Sequence, residues 1–255
     1  MAIAQREVIY KTIDDVDLSM HIFEPAYRDR DRPLAAIVFF FGGGWNSGSP
    51  EQFFPHCRHL AEQGMFAAAA EYRVKSRHGV SPIECVADGK SAVRYLYAHA
   101  AELGLDPAHI AAGGGSAGGH VAACTGIVPG QDDPADDLAV PSKPKALVLF
   151  NPVTDTTRFG SDRFLGRAEE FSPQHHISAA APPTVTFHGT ADTCVPHDCA
   201  ATFEKSMQEA GVDCTLHSYD GRGHAFFNYG RDGSVDYKDT VTKMDAFLTR
   251  LGYLG

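Results

Sequence analysis

The sequence predicts an α/β fold, in which a mostly parallel central sheet is flanked by helices on both faces. Apolar stretches such as residues 34–41 and 183–188 show no alternation, which is typical of strands buried on both sides. Helical patterns follow these stretches, and strands that alternate with helices favour a parallel sheet. The chain has 255 residues, 44% of them hydrophobic, which is enough for one large core. We therefore expect a single domain over residues 1–255.

An antiparallel hairpin is predicted at the N-terminus. Its strands are residues 8–10 and 18–24, with Asp14 and Asp15 in the turn. Two helix starts follow, at which Ser49 and Ser81 precede a proline and Gln52 and Glu84 stand three residues later. This spacing predicts a capping box at both starts. The other predicted elements are strands over 66–72 and 214–219, a helix with a stripe of Val86, Val93, Leu96 and Ala100, and a last helix with Tyr237, Val241, Met244, Leu248 and Leu251 on one face.

The segment Gly114-Gly115-Ser116-Ala117-Gly118 follows an apolar run and precedes a stretch of small residues. This is the G-x-S-x-G pattern of a nucleophile elbow, a tight turn from strand to helix that exposes a serine hydroxyl. Glycine suits such a turn because a Cβ at the flanking positions would clash. A glycine-rich turn without chemistry would show the same pentapeptide, so its context has to decide.

Two further segments supply that context. The strand over 34–41 runs into Gly42-Gly43-Gly44-Trp45, where a hydrolase with this elbow carries a loop that donates an N–H to the oxyanion. We expect the N–H of Ala117, with that of Gly43 or Gly44, to form this oxyanion hole. Asp192 and His224 lie on glycine-containing loops after two later strands. The order Ser116, Asp192, His224 differs from that of chymotrypsin and subtilisin.

We expect Ser116 to be the nucleophile, His224 its base and Asp192 the carboxylate that orients the base. Other residues compete for the last two roles. Asp192 could instead cap the helix that starts near His197, and Asp155 is the rival carboxylate because it follows the strand that ends at Phe150. His188, at a strand end near Asp192, is predicted to be a packed hydrogen-bonding residue rather than a base.

The chain resembles the esterase and lipase branch of the α/β-hydrolases. It is similar to the hormone-sensitive-lipase-like group and to the feruloyl and acetyl (carbohydrate) esterase-like group, through the glycine loop, Glu71-Tyr72-Arg73, the serine elbow, His188-Gly-Thr-Ala-Asp192 and Gly223-His-Ala-Phe-Phe227. The resemblance implies an α/β-hydrolase fold with little or no cap domain, since the elbow comes as early as residue 116. Phe41 departs from the family pattern, because the loop usually begins with a histidine that braces it.

The resemblance and the motifs together imply a serine esterase that works through an acyl-enzyme without a cofactor. Short acyl groups, and acetyl esters of carbohydrates in particular, are the expected substrates. Trp45 and Phe226 are candidates for a compact apolar substrate pocket, although plain core aromatics would show the same pattern. An amidase or formamidase, a lactonase or a peptidase could use the same triad. A hydrolase fold without catalysis that binds a ligand is the remote alternative.

Two segments interrupt the alternation of strands and helices. Residues 129–144 are rich in aspartate and proline and predict a surface excursion. Residues 151–183 lack periodicity and are interpreted as a small lid or an insertion at the substrate rim, with an inert loop as the alternative.

Composition limits the partners and the compartment. The formal net charge of −10 argues against a nucleic-acid partner and against attraction to an anionic membrane surface. The sequence contains no apolar run of membrane-spanning length and no signal-peptide pattern. These features agree with a cytoplasmic protein and with an exported one whose leader is absent from this chain. The number of subunits stays open, a homo-oligomer included.

The cysteines do not predict a metal site. Cys57, Cys85 and Cys124 have apolar neighbours and are expected to be buried thiols. Cys194 and Cys199 stand five residues apart, a spacing that fits no structural zinc pattern. We expect no metal at these positions.

Overall fold

A single sheet of eight strands forms the centre of the computed structural model, which describes residues 2–27 and 32–255. The strand order is β1-β2-β4-β3-β5-β6-β7-β8. β1 and β2 pair antiparallel, as do β2 and β4, and every later pair is parallel. The strands are β1 Ile3–Ile13, β2 Val16–Pro25, β3 Leu34–Phe40, β4 Phe66–Ala70, β5 Leu105–Gly115, β6 Ala146–Phe150, β7 Thr184–Gly189 and β8 Cys214–Tyr219. The mostly parallel sheet and its N-terminal hairpin are confirmed.

The hairpin is longer than its sequence pattern indicated, but its turn lies where predicted. Asp14 and Asp15 have positive φ angles of 48° and 61°, and the strands close on the pair Ile13 and Val16. Two consecutive residues with positive φ are typical of the two-residue turns whose twist matches that of antiparallel strands.

Helices cover both faces of the sheet because side chains alternate along each strand. In β3, Ile37 and Phe39 join one buried cluster, while Val38 and Phe40 join the other. α1 and α7 pack on the first face, and α3, α5 and α6 pack on the second. The helices are α1 Phe54–Glu62, α2 Lys75–His78, α3 Pro82–Ala98, α4 Ala100–Leu103, α5 Ala117–Ile127, α6 His197–Glu209 and α7 Val235–Arg250.

Only one of the two predicted capping boxes forms. At α3, the N–H of Ile83 donates to the Ser81 hydroxyl, and the Glu84 carboxylate accepts the N–H of Ser81. The prediction at Ser49 was wrong, because a short 3-10 helix precedes α1 and Ser49 makes no capping hydrogen bond. The Gln52 side chain has stronger partners elsewhere, in the loop after β3 and in the loop that contains His224.

The two irregular segments lie outside the sheet. In the first, residues 129–144, Asp133 pairs with Lys11, and Asp132 and Asp136 pair with Arg94. These contacts hold the segment against β1 and α3, as a surface excursion that is nevertheless anchored. The second segment, residues 151–183, consists of loops and four 3-10 helices, at Thr156–Phe159, Ser161–Phe164, Glu169–Phe171 and Pro173–His176.

The predicted burial of Cys57, Cys85 and Cys124 is confirmed. All six cysteines are free thiols, and of these Cys194 alone is exposed. Within the described residues, no helix combines the length and the apolar character that crossing a membrane requires.

His56 is a polar residue in the middle of an aromatic cluster. Its ring is fully buried against Phe53, Phe150 and Tyr237, with centroid distances of 5.0, 5.2 and 4.9 Å. Neither ring nitrogen has a hydrogen-bond partner among the residues that the structure describes. Burial, with a smaller contribution from nearby His59, lowers the pKa of His56 to about 3. The folded protein therefore holds a neutral imidazole here.

We expect His56→Phe to reduce the loss of stability in mild acid. Between the ordinary histidine pKa of about 6.5 and the folded value, the unfolded chain binds a proton that the folded chain does not. This difference in proton binding removes about 2 kcal/mol from the free energy of unfolding at about pH 5. Phenylalanine binds no proton in either state, so the variant should not show this loss. Urea unfolding of both proteins at several pH values measures the effect. The variant of an exposed histidine, His175→Gln, should keep the wild-type slope, and an unchanged slope in His56→Phe would contradict the assignment.

Candidate active site

Ser116 sits on a strained turn between β5 and α5. Its φ and ψ are 55° and −121°, a conformation that a non-glycine residue adopts only when its surroundings impose it. A Cβ on Gly114 would lie 2.4 Å from the carbonyl oxygen of Gly118, and one on Gly118 would lie 2.1 Å from that of Phe40. Only glycine fits at either position, so the elbow requires both residues.

Ser116, His224 and Asp192 form a continuous hydrogen-bonded chain. The Ser116 Oγ lies 2.9 Å from His224 Nε2, and His224 Nδ1 lies 2.6 Å from Asp192 Oδ2. Because a carboxylate only accepts hydrogen bonds, Nδ1 carries the ring proton and donates it to Asp192. Nε2 is then an acceptor that faces the serine hydroxyl. The three residues come from loops after β5, β7 and β8, whose carboxyl ends share one edge of the sheet.

The Asp192 carboxylate is buried and fully hydrogen-bonded. Burial by itself would raise its pKa, but hydrogen bonds from His188, His224 and the N–H of Val195 outweigh it and hold the pKa well below the usual range. Oδ1 also accepts the N–H of Cys194 at 2.8 Å. The carboxylate is therefore ionised at neutral pH, with its negative charge directed at the His224 ring.

The competing residues have other partners. The Asp155 carboxylate accepts the N–H of Thr157 at 3.0 Å and caps a 3-10 helix. His188 is buried, donates to the carbonyl oxygen of Val195 at 2.9 Å and lies 3.4 Å from Asp192. His188 thus supports the aspartate, as a packed hydrogen-bonding residue would.

The loop after β3 lies against Ser116, since a Cβ on Gly42 would lie 3.3 Å from the Ser116 Cβ, and it presents free N–H groups. Gly43 and Gly44 have φ angles of 133° and 63°, and a Cβ on Gly43 would lie 2.1 Å from the carbonyl oxygen of Ser47. Within the described residues, the N–H groups of Gly43, Gly44 and Ala117 donate to no protein atom. Ala117 also begins α5, where the helix dipole favours negative charge.

Phe41 uses its backbone and its ring to hold this loop. The Tyr72 hydroxyl donates to the carbonyl oxygen of Phe41 at 2.6 Å, and the two rings stack with centroids 4.2 Å apart. Both side chains are fully buried. The first residue of the loop is therefore anchored by packing and one buried hydrogen bond, where the resembling families place a histidine.

Gln52 connects the glycine loop to the loop that carries His224. Its Oε1 accepts the N–H of Gly42 at 2.7 Å, and its Nε2 donates to Asn228 Oδ1 at 3.0 Å. Asn228 follows His224 by four residues. The sequence does not reveal this role, because the position of Gln52 after Ser49-Pro50 resembles a capping box.

Asn151 is a second connection that the sequence did not reveal. Its Oδ1 accepts the N–H of Ala225 at 3.0 Å, next to His224. Asn151 is buried and has a φ of 35°, so its backbone is strained at the end of β6. An asparagine directly after a buried strand was the available signal, since asparagine tolerates this conformation.

Trp45 and Phe226 were candidates for a substrate pocket. Trp45 is 3% exposed, and its indole N–H donates to His120 Nδ1 at 3.2 Å. It forms part of the wall of a cavity of about 440 Å³ beside Gly44. Phe226 is buried against Tyr219 and Phe227, which are contacts of a core aromatic.

One group of side chains could approach a metal ion. Among the described residues, ligand atoms of Asp192, Cys194 and His224 all lie within 4.8 Å of one another. Asp192 and His224 already bond to each other, so an ion there would compete with the hydrogen-bonded chain to Ser116.

The sequence matches the model of a known protein family. The BD-FAE family model matches residues 20–207, most of the length. The chain belongs to this family. Its structure superimposes on esterase 2 of Thermogutta terrifontis with a TM-score of 0.95 and 47% sequence identity, covering 98% of this chain and 96% of that one. This agreement also establishes the α/β-hydrolase fold expected from the sequence.

Relatives known from their sequences carry esterase names. A probable carboxylic ester hydrolase of Mycobacterium tuberculosis, LipM, is 31% identical over 77% of this chain. A probable isoprenylcysteine alpha-carbonyl methylesterase of Arabidopsis thaliana is 29% identical over 82% of this chain. The chain spans about half the length of these curated relatives, 52% and 50% respectively.

We expect an organophosphate such as paraoxon to label Ser116 in this protein. A hydroxyl that faces an unprotonated imidazole reacts readily with such reagents, whereas an ordinary serine does not. Mass spectrometry of the intact protein should show one added diethylphosphoryl group, and peptide mapping should place it on Ser116. Ser116→Ala should stay unlabelled, and His224→Gln should react at least about a hundredfold more slowly. Equal labelling of wild type and Ser116→Ala would contradict the geometry.

Proposed function

We propose that this protein hydrolyses carboxylic esters of short acyl groups through an acyl-enzyme on Ser116. The observation that carries the proposal is the unbroken chain from Asp192 through His224 to Ser116, beside three free backbone N–H groups. The names of the related esterases support the same reaction class.

In the first half-reaction, the Ser116 oxygen attacks the ester carbonyl carbon as its proton moves to His224 Nε2. The carbonyl oxygen becomes an oxyanion, which the N–H groups of Ala117 and of Gly43 or Gly44 stabilise. Ionised Asp192 stabilises the imidazolium that forms and keeps the ring in its orientation. The tetrahedral intermediate then collapses, the carbon–oxygen bond to the alcohol breaks, and the Nε2 proton goes to the leaving alcohol.

In the second half-reaction, water replaces the alcohol. His224 takes one proton from the water as its oxygen attacks the acyl carbon, and the same N–H groups hold the second oxyanion. Collapse releases the carboxylic acid and returns the proton to the Ser116 oxygen. The chemistry needs only side chains and backbone groups of this chain.

A short acyl group fits what is known of a similar protein. Thermogutta terrifontis esterase 2 has been solved with propionate and with butyrate bound. We propose the same acyl size here, with acetyl esters of carbohydrates as the specific substrate class and residues 151–183 as the rim that contacts the alcohol. The exposed polar side chains of that segment, such as Asp162 and Arg163, suit a hydroxylated alcohol.

We expect acetyl to butyryl esters of para-nitrophenol to be hydrolysed at least about tenfold faster, in kcat/KM, than octanoyl esters. Ser116→Ala should lose about a millionfold in kcat. Acetate release from acetylated xylan tests the carbohydrate class, with an aryl formamide as the comparison. Retained hydrolysis in Ser116→Ala would overturn the mechanism, and preference for the formamide would overturn the ester assignment.

Gln52 is expected to act as a positioning residue for the oxyanion hole. Gln52→Leu removes both of its hydrogen bonds, so the donors of the glycine loop shift relative to Ser116. We expect kcat to fall about ten- to a hundredfold while KM changes little, because the loss affects the transition state. Stopped-flow or steady-state hydrolysis of para-nitrophenyl acetate measures both constants.

Two further variants separate positioning from folding. Gln52→Glu keeps the acceptor for Gly42, and the Asn228 amide can turn to donate to it, so this variant should recover most of the activity. Exposed Gln63 is a matched control, and Gln63→Leu should behave as wild type. A rise in KM without a fall in kcat in Gln52→Leu, or no recovery of activity in Gln52→Glu, would count against the positioning role.

A further inference from the structure

The cavity beside Gly44 carries unpaired positive charge. About 440 Å³ in volume, it opens next to the glycine whose N–H is a candidate oxyanion donor. Trp45, Val80, Pro82 and Leu165 supply apolar walls, while Lys75, Arg163 and Asp162 supply charges. This is room for a small organic group with one polar end.

Arg163 lies at the side of the cavity that Trp45 and Gly44 form. Its guanidinium lies over the Trp45 ring, with Cζ 5.6 Å from the ring centroid. Its Nη1 is 3.9 Å from the point that a Cβ on Gly44 would occupy. The contact with the ring favours this position of the guanidinium, whose N–H groups donate to no described residue.

Lys75 reaches the same cavity from a different element, α2. The N–H of Lys75 donates to the carbonyl oxygen of Trp45 at 3.0 Å, and that of Ser76 donates to the carbonyl oxygen of Asn46 at 3.0 Å. These two hydrogen bonds join the start of α2 to the glycine loop and fix the backbone of Lys75 relative to that loop.

Neither cation forms an ion pair with a carboxylate of the described residues. Seven arginines of the described chain pair with a carboxylate, namely Arg6, Arg73, Arg94, Arg158, Arg167, Arg222 and Arg250. Arg163 and Lys75 form no ion pair within residues 2–27 and 32–255, although Asp162 lines the same cavity. Two cations and one carboxylate give the cavity lining a net positive charge, in a protein whose formal net charge is −10, and this positive charge attracts anions.

We propose that this cavity binds a carboxylate carried by the ester substrate, a few atoms away from the scissile carbonyl. The proposal rests on the proposed ester hydrolysis at Ser116. A carboxylate placed there would accept hydrogen bonds from Arg163 and from Lys75 Nζ, while its carbon chain packs against Trp45 and Leu165. The enzyme then prefers half-esters of dicarboxylic acids, or acyl esters on the hydroxyl group of a hydroxy acid such as an acidic sugar, over neutral esters of the same shape.

The test compares an anionic ester with its neutral isostere. Para-nitrophenyl hemisuccinate carries the carboxylate on the acyl side, and para-nitrophenyl levulinate replaces it by a methyl ketone. Para-acetoxybenzoate and para-acetoxybenzamide form the corresponding pair on the alcohol side. The ratio of kcat/KM within each pair, with spontaneous hydrolysis subtracted, reports recognition of the charge and shows which side occupies the cavity.

We expect wild type to favour the anionic member of one pair. Arg163→Gln and Lys75→Gln should each lower that ratio about three- to tenfold, mainly through KM, and Asp162→Asn should raise it. Raising the salt concentration to about 0.5 M should shrink the preference of wild type. Arg167→Gln is the matched control, because Arg167 lies in the same segment but pairs with Glu170 away from the cavity, and it should leave the ratio unchanged.

The outcomes separate this proposal from the proposed function. A ratio that does not fall in Arg163→Gln and Lys75→Gln, with neutral esters still hydrolysed by wild type, overturns the carboxylate site alone. Failure of wild type to hydrolyse any ester overturns the proposed function. Binding of both anionic esters and both neutral partners to Ser116→Ala protein, measured by calorimetry, then still tests the cavity, and equal affinities within each of the two pairs overturn it.

Discussion

The close approach of β3, β5 and α5 is the constraint on which the site depends. Phe40 pairs with Gly114 across the two parallel strands, and the backbone of Gly118 packs against the carbonyl oxygen of Phe40. This contact leaves no room for a side chain at the elbow. It also places the serine turn and the glycine loop side by side, which brings the proposed nucleophile next to the proposed oxyanion donors.

Polar connections behind the glycines set the finer geometry. Gln52 joins the glycine loop to the loop of His224, and Asn151 joins that second loop to the end of β6. Each connection links segments that are distant in the sequence. Together they fix the loop of His224 relative to the elements around Ser116. Ordering a loop costs conformational entropy, and such partly buried hydrogen bonds between loops help to keep a site on loops pre-organised.

Charge is distributed unevenly around this framework. The buried carboxylate of Asp192 accepts three hydrogen bonds, from the N–H groups of Cys194 and Val195 and from the His224 ring, which it thereby orients. At the rim, Arg163 and Lys75 line a cavity that also contains Asp162, and among the described residues neither cation forms an ion pair. The charged groups inside the site thus have partners within the protein. The cations that line the cavity at the rim are available to interact with a substrate.

The sequence by itself determined the layout: the alternation of strands and helices, the elbow at Ser116, the glycine loop and the order of the three polar residues. These features depend on local propensity and on backbone conformations that only glycine adopts, which short stretches of sequence record. Tertiary structure decided the role of Gln52, the use of Asn151, the burial of Trp45 and Phe226 and the position of Arg163. Those assignments depend on partners up to 176 residues away, and a side chain that satisfies a distant hydrogen bond looks in the sequence like one that satisfies a local cap.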